Sequence, residues 1–313
     1  MNTFTIRRQS FSNHADGSDA ALTFHDIVGQ APGPTIGISG AIHGNEPTGT
    51  EIILDLYRAL QSVPIRGRIT LLPVANPRAY AQNRRFTTID ELNLNREFPG
   101  DPHGSYTQQL ATAITREFLE KIDVHIDMHS GTDRPTVDYV YMRNDEALSR
   151  SFGSRVLYRP QATREGTSFN GTTTAVTIDR RNIPSVVIEL GGGIIDQRPY
   201  VERGLKGLLN MLRHLQVIAG APTPAPKQIV VGSIKTIRPT RAGLLETLAP
   251  PLGEVIKKGQ LLGRVVSPYT FEVLEEIPAP FAEGVMILSH LSRNLIESGD
   301  FGYMVGDMDG AQA

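Results

Sequence analysis

The sequence predicts an α/β protein, a mixed sheet flanked by helices, followed by a smaller all-β unit. Three observations carry this. Short apolar runs alternate with helical patterns from about residue 20 to 220; proline density rises and periodicity stops at APTPAPKQ, residues 221–228; and beyond it come only short β-like runs closely punctuated by Gly and Pro. In order, PTIGISG (34–40) has the apolar content of a buried strand, and the amphipathic spacing of TGTEIILDLYRALQSV predicts a helix over 48–62. RITLLPVA (68–75) predicts a strand, a helical pattern runs over 105–121, and VHIDMHS (124–130) predicts a strand again. VDYVYM (137–142) and SVVIEL (185–190) are further strands, and VERGLKGLLNMLRHLQVIA (201–219) is an amphipathic helix. These elements divide the chain into a larger α/β domain over 1–221 and a β domain over 222–313, with the tail GDMDGAQA frayed.

Composition narrows the chemistry. The 313 residues carry 31 Lys+Arg against 33 Asp+Glu, so no global field points to nucleic acid or an anionic membrane. No stretch approaches the roughly 20 apolar residues that span a bilayer, and the N-terminal segment lacks the apolar core of a secretory signal; the cytoplasm is the expected location. The chain has no cysteine, which removes disulfides, thiolate catalysis and Cys-based metal sites. A metal would have to be held by His and carboxylates. The partner expected is a small molecule, and the sequence allows a homo-oligomer.

Four segments carry candidate chemistry. In GAIHGNEPTG (40–49), His43 and Glu46 stand three apart at a strand-to-helix junction. Two readings are open there: Glu46 and Pro47 simply start the helix, or His43 and Glu46 face a ligand. In VHIDMHSGT (124–132), strand alternation puts Val124, Ile126 and Met128 on one face and His125, Asp127 and His129 on the other. His129 falls at the carboxyl end of that strand, where open α/β sheets gather ligands. With His43 and Glu46 it would make a His₂Glu set that leaves a fourth tetrahedral position open, as catalytic zinc requires. Asp127 either orients the His129 imidazole or is an ordinary buried hydrogen-bonded acid, and His125 reads as structural. NPRAYAQNRRFTTIDELNLNREFPG (76–100) is a polar segment with four arginines, suited to clamping a carboxylate and steadying charge on a carbonyl oxygen, or simply solvated. In PSVVIELGGG (184–193), Glu189 closes an apolar strand, which is costly unless the acid is paired or functional; it is the candidate general base.

Taken in order, HGNE, the NP…RF…NLNREFPG segment, DMHSG and IELGGG resemble the succinylglutamate desuccinylase/aspartoacylase family over roughly residues 30–215. The resemblance implies a carboxypeptidase-like α/β fold and one Zn²⁺ per chain held by His43, Glu46 and His129. By the same resemblance Glu189 matches the catalytic glutamate, Arg85 the arginine that polarises the scissile carbonyl, and Asn95 and Arg96 the pair that binds a substrate carboxylate. Arg84 stands next to Arg85, and the alignment of the motif leaves one residue of play. The activity implied is metal-dependent hydrolysis of a linear amide, removing an acyl group from a small N-acylated amino acid or diamino acid. A zinc carboxypeptidase acting on a peptide C-terminus would use the same residues, and a non-catalytic binding protein could keep the fold. From RPTRAGLLETL onward the chain resembles a biotinyl/lipoyl-type barrel-sandwich, but SPYTFEVLEE stands where a modifiable lysine would be, so a structural role or a place at the mouth of the site is implied.

Overall fold

The computed structural model describes residues 1–160, 170–223 and 227–311. The chain opens with a hairpin, β1 (Thr3–Asn13) and β2 (Asp19–Val28), and enters β3 (Ala31–Gly40). There follow α1 (Thr48–Ala59), β4 (Arg66–Leu72), α2 (Pro77–Ala81), α3 (Tyr106–Ile114), β5 (Val124–His129), β6 (Thr136–Tyr141), α4 (Glu146–Ser151), β7 (Val156–Tyr158), β8 (Ser185–Gly191) and α5 (Arg198–His214). All remaining strands lie beyond this point: β9 (Ile229–Val231), β10 (Ile234–Ile237), β11 (Gly243–Thr247), β12 (Val255–Lys257), β13 (Leu261–Val266), β14 (Val273–Pro278), β15 (Glu283–Ser289), β16 (Asn294–Ile296) and β17 (Tyr303–Asp307).

At the centre of the main sheet β4, β3, β5 and β8 are parallel neighbours, and the sheet turns antiparallel where β8 meets β6. The mixed sheet flanked by helices is therefore the predicted one. Strand alternation explains its two faces. Ile36, Ile38, Val124, Ile126 and Met128 pack with Ile52, Ile53 and Leu56 of α1 and Leu208, Met211 and Leu212 of α5. Each such buried aliphatic side chain contributes about 1.5–3 kcal/mol. On the other face Leu110 and Ile114 of α3 join Phe118 in a second core, and the Phe118 ring meets His125 edge-on at 5.8 Å.

Two helices are shorter than their patterns. The 105–121 pattern is α-helical over Tyr106–Ile114, opened by a capping box between Ser105 and Gln108, and continues as a π-helical turn over Thr115–Leu119. The apolar residues keep their spacing while the hydrogen bonding widens to i→i+5, as from the Glu120 amide to the Thr115 carbonyl at 2.9 Å. The 201–219 pattern begins earlier, at Arg198, and ends at His214.

Beyond residue 227 the chain is all strand, as predicted, and β14–β13–β11–β16 form a four-stranded antiparallel sheet over their own core of Leu245, Leu262, Val265 and Ile277. The other strands behave differently. β15 pairs with β6, with Leu288 opposite Val137, and β17 and β10 extend the main sheet beyond it, while β9 pairs with β7. Hydrogen bonding thus crosses the 221/222 division. Of the predicted linker, residues 224–226 lie outside the described residues, as do 312–313 of the tail. The tail is ordered where it begins, because Gly306 and Asp307 close β17 against Ile234 and Gly284. Among the described residues no helix is long and apolar enough to cross a membrane.

Candidate metal and active centre

The carboxyl ends of β3, β5 and β8 converge on one cavity of about 590 Å³. After β3 the chain turns sharply at Ala41, whose φ is 50°. His43 then comes to the cavity through Gly44, where a Cβ would stand 2.0 Å from the Ala79 carbonyl carbon of α2. Pro47 occupies the N-cap position of α1 rather than its first turn. Glu46, just ahead of it, lines the cavity with its carboxylate beside the imidazoles of His43 and His129.

The Glu46 carboxylate is buried and crowded with partners. Its Oε1 lies 2.9 Å from His43 Nδ1 and accepts from Arg85 Nη1 at 2.9 Å. Its Oε2 lies 2.8 Å from His129 Nδ1 and 3.4 Å from the Ser130 amide. The outer ring nitrogens also face oxygens: His43 Nε2 is 3.1 Å from Asn93 Oδ1, and His129 Nε2 is 3.4 Å from Asp127 Oδ2. Each imidazole therefore meets an acceptor at both nitrogens. If Nε2 donates outward, each Nδ1 carries a lone pair aimed at the Glu46 carboxylate, and the three acceptors, within 4.8 Å of one another, make a set that a cation would balance. The residues fit a metal of the His₂Glu type for that reason.

Without a metal a proton takes the cation's place, and the shifts follow from it. Burial lowers His43 and, working alone, would lower His129 too, but Asp127 and Glu46 on either side raise His129 well above the usual imidazole range. Burial would raise Glu46; the two imidazoles outweigh it and hold the acid well below the carboxylate range. Asp127 is lowered in the same way, against its burial, first by His129.

Glu189 sits opposite His129 in the β5–β8 register and opposite Tyr139 in the β8–β6 register. Burial pushes its carboxyl up to about 8, with His129 opposing and Glu46 adding to the rise. Tyr139 is raised by the same burial and by the Glu189 charge. The glycines after β8 allow the return of the chain: a Cβ on Gly192, with φ 93°, would stand 2.3 Å from the Gly131 carbonyl.

Arg85, Asn95 and Arg96 line the same cavity. Arg84 is exposed and His103 lies on an exposed loop, both away from it. Arg96 Nη1 donates to the Asn95 carbonyl at 2.6 Å, and burial and the nearby Arg85 lower the Arg96 guanidinium. Asn95 Oδ1 accepts from the Thr173 amide at 3.2 Å, which leaves its two N–H donors for the cavity. All seven sequence-predicted site residues are thus brought to one place. His125 is fully buried with Nε2 on Ser39 Oγ at 2.9 Å, in keeping with a structural part.

Several residues that line the cavity or support it from behind had no place in the sequence reading. Asn93 belongs to the NLNR segment and carries a local signal, since its Oδ1 also accepts from the Asn95 amide at 3.0 Å to cap the 3₁₀ turn Leu94–Arg96. Tyr139, Arg143 and Thr173 reach the cavity from strands and turns far off in sequence, with no motif to mark them. Leu288 of β15, Met304 of β17 and Phe301 just before β17 make an apolar wall, and Arg238 stacks on the Phe301 ring at 4.1 Å. Arg134 pairs with Asp300 at 2.9 Å beside it.

Residues 32–215 match the model of the succinylglutamate desuccinylase/aspartoacylase catalytic domain. A Halomonas elongata protein named N-alpha-acetyl-L-2,4-diaminobutyric acid deacetylase is 29% identical over 265 residues, 81% of this chain and 77% of its own. Among solved structures, a succinylglutamate desuccinylase from Silicibacter sp. TM1040 is 25% identical, with a TM-score of 0.80 over 98% of this chain and 95% of that one. The product-bound ectoine utilization protein EutE (DoeB) from Ruegeria pomeroyi, at 24% identity and a TM-score of 0.79 over 98% and 95% of the two chains, has the same fold.

Proposed function

This chain belongs to the succinylglutamate desuccinylase/aspartoacylase family, and we propose that it is a zinc-dependent amidohydrolase that removes an acyl group from a small N-acylated amino acid or diamino acid. The observation that carries the proposal is the meeting, in one cavity, of a buried His₂Glu cluster able to hold a metal ion, a buried acid of raised pKa, and the guanidiniums of Arg85, Arg96 and Arg143. The named activity of the Halomonas relative makes an N-acetylated diamino acid the first substrate to try.

Zn²⁺ held by His43, Glu46 and His129, one per chain, would supply Lewis acidity beside the scissile carbonyl and make water a stronger acid. Glu189 takes a proton from the attacking water and returns it to the leaving nitrogen. Arg85 donates to the carbonyl oxygen as negative charge develops there; loss of one such donor costs on the order of 10²–10³ in rate. Asn95, through its free N–H groups, and Arg96, through its guanidinium, hold the substrate carboxylate. Leu288, Phe301 and Met304 face the apolar part of the substrate and limit its length.

Zinc-loaded protein assayed against N-acetyl, N-succinyl and N-formyl amino acids, N-acetylated diamino acids and short peptides tests this directly. Deacylation of one class is the expected result. Peptide cleavage from the C-terminus without deacylation would replace the reading with a carboxypeptidase.

A further inference from the structure

Thr173 stands at the entry to the π-helical turn Ala175–Arg180 and is 1% exposed. What brings it there is a tight approach just before it. Gly171, with φ 78°, lies so close to the loop after α2 that a Cβ would stand 2.1 Å from the Arg96 carbonyl oxygen, and its own carbonyl accepts from the Phe98 amide at 2.9 Å. Thr173 then makes two bonds in different directions. Its Oγ1 donates to Asp127 Oδ2 at 2.8 Å, and its backbone N–H donates to Asn95 Oδ1 at 3.2 Å.

The first bond bears on the imidazole of His129. Asp127 is fully buried and accepts on both oxygens: Ser39 Oγ donates to Oδ1 at 2.7 Å, while Oδ2 is shared between Thr173 and the His129 ring at 3.4 Å. The Ser39 hydroxyl has one proton and spends it on Asp127, so Ser39 accepts from His125 Nε2. Ser39 and Thr173 therefore clamp the carboxylate from its two sides, and its direction decides where the His129 ring points. The second bond bears on the substrate clamp. With Oδ1 engaged by the Thr173 amide, the Asn95 side chain is turned so that its donors face the cavity.

We propose that Thr173 is a positioning residue that sets the metal cluster and the carboxylate clamp at a fixed separation, acting on His129 through Asp127 by its hydroxyl and on Asn95 by its backbone. The inference rests on the reading of His43, Glu46 and His129 as the metal site. Because the two bonds use different atoms of Thr173, substitution separates them: Thr173→Val removes the hydroxyl and keeps the amide.

The test is the zinc dissociation constant of the metal-free chain, measured by chelator competition for the wild type, Thr173→Val and Thr173→Ser, with steady-state kinetics at saturating zinc. Thr173→Val should weaken zinc by up to about 10-fold, the lower end of what losing the direct outer partner of a ligating histidine costs, because Thr173 acts one step further out, through Asp127. It should also lower kcat while KM stays within about twofold, and Thr173→Ser should restore zinc affinity to within about threefold. If Thr173→Val gives no cooperative melt, Thr173→Ala, which adds no methyl in place of the hydroxyl, takes its place. Wild-type zinc affinity in the Val or Ala variant, or equal weakening in Thr173→Ser, would overturn the inference while leaving the metal site standing. A wild type that takes up no stoichiometric zinc would overturn the metal site itself and this inference with it.

Discussion

Glu189 is where a single residue says most, because everything around it in β8 is apolar and its carboxyl is driven up to about 8 by burial. Glu189→Gln keeps the shape and the hydrogen-bonding surface but cannot carry a proton between water and a leaving nitrogen. Turnover should fall by at least about 10², the lower end of what a positioned acid–base contributes, while elemental analysis still finds one zinc per chain. Near-normal activity in that variant would remove Glu189 from the mechanism. The same acid gives the metal-free protein a pH signature. A raised carboxyl pKa means that the folded state keeps a proton the unfolded chain releases near the ordinary value of 4.5. Stability from this group is therefore full below about 4.5 and is lost as pH climbs toward about 8. Thermal melts of metal-free wild type should fall across that window, and Glu189→Gln should flatten the slope; equal slopes would mean another group titrates. Glu189 and His129 were legible in the sequence because strand alternation and an apolar run ending in a charge are local signals. The links of Asn93 to His43 and of Thr173 to Asp127 were not, since they span 50 and 46 residues, more than any local pattern covers; only the cap of Asn93 on the Asn95 amide is local.

Among the elements, the turn between β3 and α1 and the loop before α3 do most to build the site, and each can be tested by one change. At Gly44 there is no room for a methyl group: the nearest atoms are the Ala79 carbonyl and the Tyr80 amide, all backbone, at 2.0–2.2 Å from a Cβ. Gly44→Ala forces α2 and the His43 turn apart, which should cost about 1–3 kcal/mol in stability, the range for overpacking. A chemical denaturation series reads it, and an unchanged midpoint would show that the turn can give way. In the Asn93–Arg96 loop the test is chemical rather than steric. Arg96→Lys keeps the charge and loses the planar fork, so KM should rise about tenfold with little change in kcat, since a charge-assisted hydrogen bond is worth about 1.5–3 kcal/mol. A drop in kcat at constant KM would instead put Arg96 at the reacting carbonyl. The reach of the sequence differs between these elements. The α1 helix was predictable from Ile52, Ile53 and Leu56 on one face, but the switch at Thr115 to a wider turn leaves the apolar spacing of Phe118 and Leu119 intact and so left no trace in the pattern.

For the whole molecule, the question is whether the C-terminal strands are a separate unit or part of the catalytic body. Proline density at 221–228 marks a change of regime in the chain, and composition predicted the all-β character beyond it. It could not tell which strands would pair, because runs of three to seven residues carry no information about their neighbours. The pairing runs across the division. Val137, Tyr139 and Val156 from before the division share a core with Val231, Val285, Ile287 and Leu288 from after it, and β15 is bonded to β6 along the cavity wall. Ending the chain at 221 would leave Thr136 and Val137 of β6 without their β15 partners and uncover that shared core. For Val137, Tyr139 and Val156, left behind at about 1.5–3 kcal/mol each, the loss is about 4.5–9 kcal/mol, comparable with the lower part of the 5–15 kcal/mol by which domains are usually stable. Residues 1–221 expressed alone should accordingly give no cooperative thermal transition by circular dichroism, whereas the full chain should melt in one step in which near-UV and far-UV signals coincide. A fragment that melts cooperatively at the temperature of the full chain would make the C-terminal strands an appendage. Leu288, Phe301 and Met304 would then be a lid added to a finished enzyme rather than one wall of its cavity.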